Sequence, residues 1–376
     1  MSGSPRSSLP ETDADLEWCH EAVDGVSRTF ALTIDVLEEP MSSRICVGYL
    51  LCRIADTIED ARHIPPKTQS QLLRTYYAVL DPADPTDVST FTEVVSEWIP
   101  EDGVREADWA VVSQTPRVIR TFERQSESVK EAIRPPVLEL VSGMALFVER
   151  YGDRGGLRLQ TREELEEYCY YAAGTVGILI TNLICRDETE TARYTGRDDI
   201  PTRNGSDREE IDQSTERILY ENAESFGLLL QLVNIAKDVY SDLREEDNVY
   251  LPTTWLDDEG VSQEGLLESE HRTDSAAVVR RTADHAQTFL DNAQYYLETL
   301  PAVEGNRLAA WAIPYLLAVA TLRELTNRPE DALSEKGVKI AREEVQAIVS
   351  RMLGETNGDV IGELRTMIAE QPFDQV

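Results

Sequence analysis

Two short runs of residues carry oxygen ligands at helical spacing. In the first, Asp56, Glu59 and Asp60 stand at i, i+3 and i+4, which puts three carboxylates on one helix face. In the second, Asn234, Asp238 and Asp242 follow one another every four residues, again as a single stripe. Ile45, Leu51, Ile54 and Ile58 surround the first run, and Phe226-Gly-Leu-Leu-Leu precedes the second, so both stripes begin inside apolar helices. Carboxylates about 5 Å apart repel by roughly 3 kcal/mol at an effective dielectric of about 20, and a buried cluster of them needs cations. Such hard donors suit Mg²⁺, with Mn²⁺ as an alternative, and Mg²⁺ keeps waters and bridges to substrate phosphates. Two such helices face to face would form a funnel for a metal–diphosphate complex. Either run alone reads equally well as a solvated helix face in so acidic a chain. The apolar setting of both favours the metal, because ionised groups are rarely left unpaired there.

The elements that must position these residues are helical. Apolar periodicity predicts helices over 11–24, 41–61, 66–80, 105–125, 128–150, 161–186, 214–243, 275–299, 306–326, 336–353 and 358–369, and alternating strands are scarce. The expected class is all-α, with one domain over 11–370. Residues 1–10 are expected to be disordered. The polar, acidic stretch 187–213 has no periodicity and reads as a surface loop.

Composition narrows the partners. The 376 residues hold 36 basic and 70 acidic side chains, a formal charge of −34, and lysine occurs only at 67, 130, 237, 336 and 339. This argues against nucleic acid as a partner, because phosphates are repelled over most of such a surface. A polyanionic substrate then needs a local pocket of metal ions or clustered arginines. The charge also suggests adaptation to a very salty cytoplasm, where ions screen self-repulsion. Cysteines 19, 46, 52, 169 and 185 form no close pair and read as reduced buried thiols. The four histidines show no metal-ligand spacing. The polar N-terminus lacks a signal-peptide core. The longest apolar runs, Ala172–Cys185 and Leu308–Ala320, look too short for a membrane span of about 20 residues and read as buried helices.

Six segments together resemble the squalene/phytoene synthase family over about residues 20–325. Asp56–Asp60 and Asn234–Asp242 look like its paired metal motifs, and Ser27-Arg28-Thr29-Phe30 resembles its diphosphate-contacting flap. Tyr49 and Arg53 precede the first motif at the family's spacing. Tyr168-Cys-Tyr-Tyr171-Ala-Ala-Gly174-Thr-Val-Gly177 resembles the helix of the catalytic tyrosine, and Asn248-Val-Tyr-Leu-Pro252 the segment closing the second motif. The Ala312–Leu322 segment and the first motif resemble the squalene branch. Val338-Lys339-Ile340, with Lys336 and Arg342, resembles a basic segment that binds NADPH phosphate there, and reads equally well as an exposed helix face. Two features depart from the pattern. Lys237 stands where arginine is usual, and Tyr250-Leu-Pro is closer to the phytoene branch.

The resemblance implies an isoprenoid-synthase-type helical bundle with a central active-site cavity. It implies head-to-head condensation of two farnesyl diphosphates through presqualene diphosphate, then NADPH-dependent reduction to squalene. The metal ligands would be Asp56, Glu59, Asp60, Asn234, Asp238 and Asp242. Ser27, Arg28, Thr29, Phe30, Arg53, Gln231, Asn234 and Lys237 would bind diphosphate. Tyr168, with Arg53 and Tyr49, would be catalytic, Tyr168 stabilising the allylic cation. Tyr168 and Tyr171 read alternatively as core packing. Ala172, Ala173, Gly174 and Gly177 would let helices part around farnesyl chains, or would simply pack closely. The expected protein is a monomer, cytoplasmic, without the C-terminal membrane anchor of eukaryotic relatives, and at most peripheral to a membrane during product release. Phytoene or dehydrosqualene synthesis without hydride transfer is the neighbouring alternative, and a non-catalytic helical scaffold the more distant one.

Overall fold

The computed structural model describes residues 11–101, 106–195, 212–302 and 305–375. The expected disordered N-terminus and most of the expected 187–213 loop lie outside these. Among the described residues the only bridge between extended segments is a single parallel pairing of Arg158 with Val249; everything else that is regular is helical.

Four elements form the frame of the molecule. The Met41–Glu59 helix packs on Glu127–Tyr151, which packs on Thr175–Thr195, which packs on Gln213–Lys237. Met41–Glu59 is apolar nearly all round, with Ile45, Cys46, Val47, Leu50, Leu51, Ile54 and Ile58 at or near zero exposure, as a helix enclosed by others must be. Gln213–Lys237 is enclosed on its far side by Arg272–Gln287, Leu290–Thr299 and Arg307–Asn327. Side-chain caps set the starts of the long helices. Ser126 accepts from Val129 N, Thr161 from Glu164 N and Asp212 from Thr215 N, each satisfying an otherwise orphaned donor.

Several boundaries differ from the periodicity reading. The 105–125 helix is two, Glu106–Ser113 and Thr115–Glu123, because Pro116 lacks an N–H and starts a new helix more readily than it continues one. The 336–353 helix begins only at Arg342; a turn with Gly337 at φ +59° precedes it. Helices Arg28–Val36, Val88–Ser96 and Thr253–Asp258 carry too few turns for a periodic signal. Two helices, Arg162–Arg186 and Arg307–Asn327, are long and apolar enough to cross a membrane, contrary to the reading from uninterrupted runs. Their most apolar windows are 61% and 83% buried within the protein, which makes them core helices.

The small residues 173, 174 and 177 bring backbones together rather than letting helices part. A Cβ on Gly177 would lie 2.1 Å from Ala223 O, and one on Gly227 2.2 Å from Ala173 O. Both obstacles are backbone and cannot swing away. Gly227→Ala is therefore expected to destabilise the fold by about 1–3 kcal/mol, as overpacking does, although alanine is the better helix former. Urea unfolding in high KCl checks this.

Candidate active site

The first carboxylate stripe sits where the Met41–Glu59 helix ends. Its last carbonyls would be orphaned in the interior. The buried amide of Gln69 meets them, donating to Glu59 O at 2.7 Å and Ile58 O at 3.0 Å. This fixes the backbone from which Glu59 and Asp60 project. About two turns earlier, Arg53 donates from Nε and Nη2 to Asp108 Oδ1 at 3.0 and 2.8 Å, while its Nη1 faces Asp56 Oδ2 at 3.9 Å. Burial and the carboxylates of Asp108 and Glu246 push the Asp56 carboxyl up to about 6, with Arg53 opposing. Burial, then Asp60 and Asp56, raise Glu59 well above the ordinary range. Glu59 is only 6% exposed, and its Oε1 has no hydrogen-bond partner.

The other oxygen of Glu59 meets Tyr168. Tyr168 Oη is 3.1 Å from Glu59 Oε2 and 3.2 Å from Tyr250 Oη, and Asn248 Nδ2 donates to Tyr250 Oη at 3.1 Å. Asn248 is itself held by Leu157 N, which donates to its Oδ1 at 2.9 Å. The Tyr168 ring contacts Phe147 edge-on at 5.3 Å and Tyr250 at 4.8 Å. Burial and the neighbouring carboxylates raise both phenols well above their ordinary range, so both stay neutral. Tyr168 is thus buried with a satisfied hydroxyl, and the group that satisfies it belongs to the first carboxylate motif. A π-turn, Tyr170–Gly174, follows immediately, a feature frequent at functional sites.

The second stripe spans a break in its helix. Gln213–Lys237 ends at Asp238, which leaves helical geometry at φ −103°, ψ 12°. The spacing of four survives, because Asp238 N still bonds Asn234 O at 3.0 Å and Asp242 N bonds Asp238 O at 2.9 Å. A π-turn then runs over Asp242–Glu246. Lys237 pairs with Asp238. Burial, then Glu246, Asp238 and Asp60, raise Asp242 well above the carboxylate range, with Lys237 opposing. Asp60 acting on Asp242 is the mark of two stripes that confront each other. Arg62 ties the two sides, donating to Arg244 O at 3.3 Å. Exposure rises along the stripe, from half-buried Asp242 and Asp238 to exposed Asn234, with Gln231 half-buried.

Around this centre, Ser27 caps the Arg28–Val36 helix by accepting from Phe30 N at 3.2 Å, and also bonds Tyr49. Phe30 stacks on Tyr49 with ring centroids 4.1 Å apart. Tyr49 stands one turn before Arg53, and burial pushes its phenol up to about 12. The side chains of Arg28 and Thr29 lie outside the described residues. Lys336, Lys339 and Arg342 are exposed on the segment entering the Arg342–Met352 helix. Among the described residues none of the three shares a hydrogen bond or ion pair with either motif. Two residues near the stripes have no counterpart in the motif reading, Asp108 and Glu246. Asp108 sits on a separate helix about 50 residues away, and only the fold brings it to Arg53. Glu246 stands four residues beyond Asp242, the one signal that could have flagged it.

The arrangement fits a divalent cation with hard oxygen ligands. Asp56, Glu59, Asp60 and Asp242 concentrate negative charge where burial penalises it, and Glu59 Oε1 is a buried acceptor with nothing to accept from. A cation would relieve both.

Residues 23–344 match the squalene/phytoene synthase family. The chain is 25% identical over 332 residues to squalene synthase of Schizosaccharomyces pombe, covering 88% of this chain and 64% of that protein. It is 26% identical over 338 residues to squalene synthase of Bos taurus, covering 87% and 69%. It thus spans about two thirds of the length of these relatives. Its fold is similar to that of TcSQS bound to the ligand BPH1237, with a TM-score of 0.73, 22% identity and 95% and 90% of the two chains covered. It is also similar to a dehydrosqualene synthase, with a TM-score of 0.59, 20% identity and 91% and 96% covered. The all-α fold is that of the isoprenoid synthases, and the chain belongs to the squalene/phytoene synthase family.

The carboxylate cluster has a consequence for stability without metal. Between the ordinary carboxyl value of 3.8 and about 6, folded Asp56 retains a proton that the unfolded chain has released. Stability from this group is therefore present at low pH and lost as pH rises through about 6. In metal-free buffer the wild type is expected to lose at least about 1 kcal/mol more than Asp56→Asn between about pH 5 and about pH 8. Mg²⁺ at the higher pH should restore the wild type and leave the variant unchanged. Denaturant titrations measure both.

Proposed function

We propose that this prenyltransferase joins two farnesyl diphosphates head to head through presqualene diphosphate and reduces the product to squalene. The observation that carries the reading is the confrontation of the two oxygen stripes beside Tyr168, with Arg53 and Lys237 at the rim. Mg²⁺, or Mn²⁺, held by Asp56, Glu59, Asp60, Asn234, Asp238 and Asp242 would supply Lewis-acid stabilisation of a departing diphosphate. Arg53 and Lys237 donate charge-assisted hydrogen bonds to that diphosphate, and Ser27, Arg28, Thr29, Phe30, Gln231 and Asn234 complete its cradle. Lys237 acts as a point charge, where arginine would clamp two oxygens at once.

Tyr168 meets the allylic cation with the face of a neutral ring, an attraction of about 2 kcal/mol or more in a dry site. Its hydroxyl is oriented by Glu59 and Tyr250, which fixes the ring plane; Tyr49, stacked on Phe30, walls the same side as Arg53. Proton loss from the alkylated acceptor closes the cyclopropane of presqualene diphosphate, with released diphosphate as the base.

The reductive half-reaction rests on Lys336, Lys339 and Arg342, exposed cations in a strongly acidic chain and suited to the phosphates of NADPH. The curated squalene synthases among its relatives support it. A second reading, dehydrosqualene or phytoene as product, is favoured by Tyr250-Leu-Pro. The working compartment is proposed to be a salty cytoplasm, with the enzyme a monomer in peripheral contact with a membrane during product release.

Product analysis with farnesyl diphosphate and Mg²⁺ in high KCl, with and without NADPH, tests the reading. Squalene formed only with NADPH is the expected result. Dehydrosqualene regardless of NADPH, or product only from geranylgeranyl diphosphate, would move the chain to the second reading. Asp56→Asn and Asp238→Asn should each abolish turnover while far-UV circular dichroism stays unchanged; near-wild-type turnover in either would overturn the ligand assignment.

A further inference from the structure

Arg53 lies between two carboxylates and is bonded to only one of them. Asp108 Oδ1 accepts from both Nε and Nη2, at 3.0 and 2.8 Å, whereas Asp56 Oδ2 stands off at 3.9 Å from Nη1. Asp108 is 9% exposed and lies on the Glu106–Ser113 helix, outside every motif discussed above. A guanidinium has five N–H donors in a rigid plane. Asp108 takes one from Nε and one from Nη2, on one edge of that plane. Three remain, two on Nη1 and one on Nη2, and Nη1 is the nitrogen that faces Asp56.

This geometry has two effects. It fixes the plane of Arg53 before any ligand arrives, so little side-chain entropy is lost on binding a polyanion. It also draws Arg53 away from Asp56, leaving that carboxylate open to a cation. Without Asp108, a half-buried guanidinium beside a carboxylate would close the 3.9 Å gap and pair with it, which removes a cation ligand and a diphosphate donor together. We infer that Asp108 is a positioning residue: it holds Arg53 side-on so that the free Nη1/Nη2 edge is available to the substrate diphosphate and Asp56 stays free. The inference rests on Arg53 binding diphosphate.

Calorimetric titration with inorganic diphosphate in the presence of Mg²⁺ tests it, on wild type, Asp108→Ala, Asp108→Asn, Arg53→Ala and the Arg53→Ala/Asp108→Ala double variant, all in high KCl. Asp108→Ala is expected to weaken binding about tenfold, as loss of charged hydrogen bonds does. Asp108→Asn, which keeps an acceptor oxygen without the charge, should fall between it and wild type, and guards against misfolding of the alanine variant. The decisive comparison is the double variant. If Asp108 works through Arg53, it binds no more weakly than Arg53→Ala alone. Additive losses, or wild-type binding by Asp108→Ala, would overturn the inference while leaving Arg53 in place. Wild-type binding by Arg53→Ala would instead bring down the assignment of Arg53 itself, and the inference with it.

Discussion

Mutual repulsion of carboxylates in a shielded cleft is the constraint on which the rest of this structure depends. Burial raises the protonation of Asp56, Glu59 and Asp242, because a low dielectric penalises the charged form, and neighbouring carboxylates, Asp60 and Glu246 among them, raise it further. No packing argument would select such a cluster, since apolar residues of the same volume would be more stable there. The energy that assembles it comes from elsewhere, from a core in which Leu50, Leu51, Ile54, Leu229 and Leu232 are almost wholly excluded from water.

That core does more than offset the repulsion; it aims it. Gln69 holds the carbonyls at the end of the Met41–Glu59 helix. The contacts of Gly177 and Gly227 seat Gln213–Lys237 directly on the Tyr170–Thr195 region, so the second stripe cannot drift from the first. Asn248, held by Leu157 N, carries Tyr250 to Tyr168, and Tyr168 reaches Glu59. Each link is backbone-anchored or buried, which is what a site needs to be preorganised for developing charge.

The parts of this site that rest on local spacing were readable in the sequence. Asp56, Glu59 and Asp60 fall on one face because a helix has 3.6 residues per turn, and Asn234, Asp238 and Asp242 keep their spacing even though the helix breaks at Asp238. What was not readable depends on distance in the chain or on backbone departures. Asp108 meets Arg53 across 55 residues, and no periodicity encodes that. Gly177 and Gly227 look alike whether they separate helices or join them; only the facing carbonyls of Ala223 and Ala173 decide. The Arg28–Val36 helix is too short for a period to emerge, and Pro116 split a helix whose apolar pattern runs on through it. The 336–353 segment carried a helical apolar period, yet a left-handed Gly337 delays its helix to Arg342.

The two stripes are proposed to hold one metal–diphosphate complex between them. Electron paramagnetic titration with Mn²⁺ in the presence of inorganic diphosphate addresses it directly, on wild type, Asp60→Asn, Asp242→Asn and the double variant. A shared complex predicts that either single change weakens Mn²⁺ binding by about tenfold or more, and that the double change costs clearly less than the sum of the two, because each stripe already fails without the other. Wild-type binding in either single variant, or strictly additive losses, would mean that the stripes act as separate acidic surfaces, and the account would be contradicted.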